Sequence, residues 1–149
     1  MSVLPAIMAP AIAATDTATL TVSATVASSC SLNSATLDFG TYSSGQSANL
    51  DSAGTIGFDN CEGNLTFELD GGQSGAVQSR TMASGGNTLT YQLFRDSNRT
   101  NIFGTGSNAL QQLLLVPQSG TVPVYGRIPQ GQAVPAGTYT DTVNITLTF

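Results

Sequence analysis

The 149-residue sequence contains no histidine and no lysine, and only 9% of it is charged. Each absence closes off a class of chemistry. Without His or Lys, no serine can be activated as in Ser–His or Ser–Lys hydrolases. With no His anywhere, Cys30 and Cys61 cannot make a structural zinc site. The basic residues are Arg80, Arg95, Arg99 and Arg127, well spread, and the net charge is -5. That balance excludes the positive footprint of a nucleic-acid binder and argues against anionic membrane surfaces. No G-x-x-x-x-G-K-[ST] phosphate loop is present.

The acidic residues Asp16, Asp38, Asp51, Asp59, Glu62, Glu68, Asp70, Asp96 and Asp141 are scattered. A glycosidase would need two of them facing across a cleft, but isolated acids are usually solvated or build turns. Asp59, Asn60 and Glu62 suggest calcium by type, without EF-hand spacing. Asn64, Asn98 and Asn144 each open an N-x-T triplet, which a Thr- and Asn-rich chain produces by chance. The expectation is a protein that is not an enzyme and needs no cofactor or metal.

The length suits one domain with a sizeable core. The opening "MSVLPAIMAPAIAAT" differs from the rest, being apolar and ending in Ala11-Ile12-Ala13, an A-x-A cleavage pattern. Residues 1–14 are expected to be the remnant of a secretory signal peptide, cut after Ala13 or Ala14. They lack a positive n-region, so the alternative is an ordinary apolar start, and they are too short for a comfortable transmembrane helix. Export favours a disulfide between Cys30 and Cys61 over two buried thiols. Chain-entropy reasoning puts its contribution at roughly 3–4 kcal/mol.

No stretch holds a helical period. Short alternating or apolar runs cover 17–26, 35–39, 55–61, 65–70, 88–94, 110–116, 121–127 and 137–149. Gly-, Ser-, Asn- and Pro-rich breakers such as "YSSGQS", "LDGGQSG", "PQSG" and "PQGQAVPAG" separate them. The run 110–116 is ambiguous between helix and strand and is read as a strand. The pattern predicts an all-β sandwich. Both ends alternate cleanly. In "TATLTVSATV", Ala18, Leu20, Val22, Ala24 and Val26 share one face, with Thr and Ser on the other. In "GTYTDTVNITLTF", Val143, Ile145, Leu147 and Phe149 do the same, still in phase at Phe149.

Four segments, in order, resemble a known family. "CSLNSATLDFGTYSSG" is similar to its first-cysteine strand and F-G turn. "IGFDNCEGNLTFELDGG" is similar to its second-cysteine strand and the strand that follows. "LTYQLFRDSNRTNIFG" resembles its Y-x-L-[FY]-x-D-x-x-R-T segment, and "VPVYGRIPQGQAVPAGTYTDTVNITLTF" its terminal region. The family is the spore coat protein U domain, which includes archaic, Csu-type chaperone–usher pilins. The resemblance implies an incomplete immunoglobulin-like sandwich, completed by a donor strand from a neighbouring subunit. On it, residues 15–29 are the N-terminal donor strand and 30–149 the pilin domain.

Ala18, Leu20, Val22, Ala24 and Val26 would enter the neighbour's core by β-augmentation. Val143, Ile145, Leu147 and Phe149 would form the groove-edge strand that a periplasmic chaperone contacts. The implied partners are identical or homologous subunits in a head-to-tail polymer, the chaperone and an outer-membrane usher. The implied location is an extracellular adhesive or biofilm fibre reached through the periplasm. The alternatives are a tip or minor adhesin subunit, a coat protein on the same fold, and a self-complemented monomer.

Overall fold

The computed structural model describes residues 2–5 and 12–149. The leader expected over 1–14 lies in part outside the described residues, as does Ala11 of its cleavage pattern. The described chain is all-β: β1 (Ser31–Thr36), β2 (Leu50–Leu69), β3 (Thr81–Ser84), β4 (Asn87–Thr90), β5 (Gln92–Phe94), β6 (Leu110–Ile128) and β7 (Ile145–Thr148), with two 3-10 turns.

Its frame is one long antiparallel ribbon. β2 pairs with β6 from Leu50↔Ile128 to Phe67↔Leu110, so the run at 110–116 is a strand. The ribbon doubles over near its middle, where the register shifts between Phe58 and Cys61 and again before Gly63. Asn60 and Gly63 there take positive φ, 50° and 82°, and such bulges bend a strand and sharpen its twist. The Phe58 and Phe67 rings show the extent of the bend, since their centroids are 5.9 Å apart. A straight strand would separate them by about 30 Å. The two halves therefore lie face to face and enclose the core: Ile56, Phe58, Leu65, Phe67, Val122 and Val124 are all buried. Each such side chain contributes about 1.5–3 kcal/mol.

The bend merges segments that local pattern separates. The runs 55–61 and 65–70 are one strand, and so are 110–116 and 121–127. "PQSG" is not a turn but sits opposite the bulge, where Pro117 is tolerated because the ladder is already interrupted. Conversely, 88–94 splits at Tyr91 into β4 and β5, which lie in different sheets. Only Ser31–Thr36 and Ile145–Thr148 of the flanking runs form ladders, and 17–26 pairs with nothing.

β1 and β7 both pair with the edge of β2 that faces away from β6. Because β2 doubles back, they border opposite layers and face each other across the side of the sandwich. Cys30 and Cys61 form a disulfide at the bend (Cα–Cα 4.3 Å), tying the start of β1 to the bulge. Beyond Thr36 the chain passes so close to β2 that a Cβ on Gly54 would lie 1.9 Å from the Thr36 carbonyl oxygen. Gly126, on the neighbouring strand β6, leaves room for the Phe39 ring, 2.6 Å from where its Cβ would be.

Gly54→Ala should therefore displace the backbone at Thr36 and destabilise the domain by about 1–3 kcal/mol, as overpacking does. Urea unfolding would measure it. An unchanged midpoint would show that β1 does not press on Gly54.

Candidate functional site

A groove of about 930 Å³ opens between the β1 and β7 edges. Its floor is the sandwich core itself, including Ile56, Leu69, Leu93, Val124 and Ile128. One lip is the continuation of β1, from which Leu37, Phe39 and Tyr42 reach inward; the other carries Tyr139, Val143 and Ile145. Neither β1 nor β7 has a second strand partner among the described residues. An edge of this kind presents unpaired N–H and C=O groups. The gap is apolar inside and bordered by backbone, the shape of one missing strand.

The lips are held apart by polar groups rather than collapsed onto the core. On the β7 side, Thr140 exchanges backbone hydrogen bonds with Ala83 at 2.9 and 3.0 Å, and Asp70 N–H donates to Asn144 C=O at 3.0 Å. The Asp70 carboxylate accepts from Asn144 N–H (2.9 Å), Asn144 Nδ2 (2.8 Å) and Gly72 N–H (2.9 Å). Burial alone would raise the Asp70 carboxyl. The Gly72 and Asn144 donors and the charge of Arg80 overrule it and hold it below its ordinary value.

Asp141 Oδ1 accepts from Gln73 N–H and Thr142 N–H, both at 2.8 Å, while Oδ2 accepts from the Tyr91 hydroxyl. Burial first, and then that bond, push the Tyr91 phenol far above its usual value, so it stays a donor. Beneath them lies Arg80, fully buried. Its guanidinium donates to the carbonyls of Leu69 (3.1 Å), Asp70 (2.7 Å) and Phe103 (2.8 Å) and to Gln92 Oε1 (2.7 Å). A buried cation is tolerable when its donors are met in this way.

On the β1 side, Tyr42 Oη donates to Pro129 C=O at 2.9 Å and accepts from Gln132 N–H at 3.0 Å. Phe39 meets Tyr91 edge-on at 6.0 Å across the groove floor.

The residues expected to act lie on both sides of this gap. Val143, Ile145 and Leu147 are half-buried against the core, while Phe149, in phase with them, is 58% exposed. The apolar face expected to be a donor is bare: Leu20 is 88% exposed, Val22 82% and Val26 95%, with Ala18 and Ala24 exposed beside them. That segment meets the domain at Cys30, in the disulfide that ties β1 to the bulge. Pattern reading missed Arg80, Tyr91 and the Asp70–Asp141 pair, and the motif "TLDFGTY" was the only local sign of the β1 lip. No His, Cys, Asp or Glu cluster able to hold a metal occurs among the described residues.

Residues 16–146 match the Spore Coat Protein U domain. Protein U of Myxococcus xanthus is 38% identical over 163 aligned residues, covering 94% of this chain and 88% of that protein. Two solved structures share the fold. One is the CsuC–CsuE chaperone–tip adhesion subunit pre-assembly complex from archaic chaperone–usher Csu pili of Acinetobacter baumannii. Its TM-score is 0.56 at 22% identity, over 80% of this chain and 39% of that one. The other is a chaperone–usher pilus whose structure concerns rod uncoiling, with TM-score 0.53 and 16% identity, over 95% of this chain and 99% of that one. The fold is thus that of chaperone–usher pilus subunits.

Asp70 supplies the pH dependence of the β7 lip. Its folded value is depressed, so the stability it gives is present above its unfolded value. That stability is lost as the pH drops below 3.8 and through the folded value. Asp70→Asn should flatten the acid limb of the melting-temperature profile relative to wild type. Identical acid limbs would remove Asp70 from this role.

Proposed function

The chain belongs to the Spore Coat Protein U domain family, and from that we propose that it is a structural pilus subunit that polymerises by donor-strand complementation. The observation that carries the proposal is a strand-shaped apolar groove in a chain that also carries an unpaired, exposed strand-patterned segment. Residues 30–149 are the receiving domain and 15–29 the donor strand, with Ala18, Leu20, Val22, Ala24 and Val26 entering the groove of the next copy. Burial of Leu20, Val22 and Val26 contributes roughly 5–8 kcal/mol, and two new hydrogen-bonded ladders add to it.

The contact is heterologous and does not close on itself, so it propagates as a filament. Until a donor arrives, the open edges need cover. A periplasmic chaperone engaging Val143, Ile145, Leu147 and Phe149 supplies it, and an outer-membrane usher passes the subunit to the cell surface. The role is structural, without catalysis. Near-complete mutual coverage with a pilus-rod structure favours a shaft subunit over a tip or minor adhesin. The family's description as a spore coat domain supports a second reading, a coat component assembled by the same strand exchange.

Leu20→Asp and Val22→Asp would each place an unpaired charge in the groove at a cost of several kcal/mol. Both variants should fold, because the segment lies outside the domain's own core, and both should fail to form filaments under the electron microscope. Wild-type assembly by both would sink the donor assignment.

A further inference from the structure

The groove occupies one edge of the β2–β6 ribbon, and the ribbon has a second edge. β1 and β7 both pair with the side of β2 that faces away from β6. On the far side, β5 covers β6 only over 125–127. From Leu110 to Thr121 the outer edge of β6 therefore pairs with no strand among the described residues. Leu114 on this edge is buried, while Leu113, Leu115 and Val116 are exposed, Leu115 to 84%. Among the described residues of 30–149, Leu32 and Phe149 are the only other large apolar side chains left exposed.

The composition of this edge says what can cover it. Residues 100–126 hold no charged side chain, in a chain whose net charge is -5. Two copies of like net charge repel on approach, and the repulsion is least where no charge stands. Sheet edges are usually kept apart by lysine or inward charge, and this one has neither. Pro117 lacks an N–H, so the pairable stretch ends at Val116. The stretch is also complementary to itself. An antiparallel ladder centred on Leu114 sets Leu113 of each copy opposite Leu115 of the other, on the outer face. Leu114 then meets its own counterpart on the inner face. A one-residue slip would set outward leucines against inward ones.

We propose that this edge is a second, lateral interface, at which β6 of one copy pairs with β6 of another and joins neighbouring filaments side by side. The inference rests on the filament reading above. The contact is two-fold and isologous, so it closes after one pairing, unlike the head-to-tail donor contact. It joins the β7–β2–β6 layers of two copies edge to edge. Because the groove lies on the opposite side of β2, a subunit can hold a donor strand and pair laterally at once. A ladder this short is weak when taken alone. Along a filament it recurs in every subunit, and linked contacts reinforce one another through effective concentration. Free subunits therefore stay apart while filaments associate.

The test uses the full chain. Leu115→Lys places a charge on the seam from an exposed position outside the core, so folding and filament formation should be unchanged. Wild-type filaments should gather into bundles under the electron microscope and sediment at low speed. Leu115→Lys filaments should stay single and remain in the supernatant. Bundling by the variant equal to wild type would overturn the lateral interface, and so would wild-type filaments that stay single. A second measurement reads the register. Chains carrying Leu113→Cys and chains carrying Leu115→Cys are assembled as a mixture, oxidised mildly and mapped by non-reducing peptide mass spectrometry. A 113–115 link between chains is expected in the mixture. Bundles without that link would overturn the β6 pairing. The link between chains that build no filament would remove the pilus reading and leave the edge contact standing. Neither link nor filament would overturn both.

Discussion

The structure depends on the bend in the β2–β6 ribbon. A ribbon of this length cannot bury either of its faces while straight, because a two-stranded ladder has no second layer. Folding it at the bulge makes the two inner faces cover each other and puts Phe58 against Phe67. The same fold-over brings the two halves of one β2 edge to the same side of the molecule. β1 and β7 settle on those halves without meeting, and the space between them is the groove. The open site is thus a consequence of how the core is made.

An apolar gap with two free edges would be expected to collapse, and the polar scaffold explains why the lips stay apart. Arg80 reads the carbonyls at the end of β2 and in the 103 loop, so the chain there cannot slide inward without breaking charge-assisted bonds. Asp70 and Asp141 clamp the strand leading to β7 from outside, and Tyr91 spans from the floor to that clamp. Glycine does the corresponding work on the other side. Gly54 and Gly126 let the chain after β1 lie flat on the sheet, so Leu37 and Phe39 line the gap instead of filling it.

Edges in monomeric sheets are commonly guarded by lysine, proline or inward charge. This chain has no lysine, and Leu37, Phe39, Val143 and Ile145 along the lips are apolar. Such edges suit pairing, and residues 18–26, with their bare apolar face, have the complementary pattern. A single bulge at Asn33 keeps β1 in phase with the sandwich core below it.

The sequence by itself determined the all-β class, the alternating faces at both ends and the lack of His and Lys, because period-two patterning and composition are local properties. The ordered motifs carried the family. Several matters were decided only in three dimensions. "PQSG" reads as a turn until the bulge across from it shows that no turn is needed. Arg80 reads only as one of four dispersed basic residues, since local pattern cannot show that carbonyls from Leu69, Asp70 and Phe103 converge on it. The groove has no motif of its own. It exists because segments far apart in the chain stop short of each other, and long-range chain geometry sets that distance.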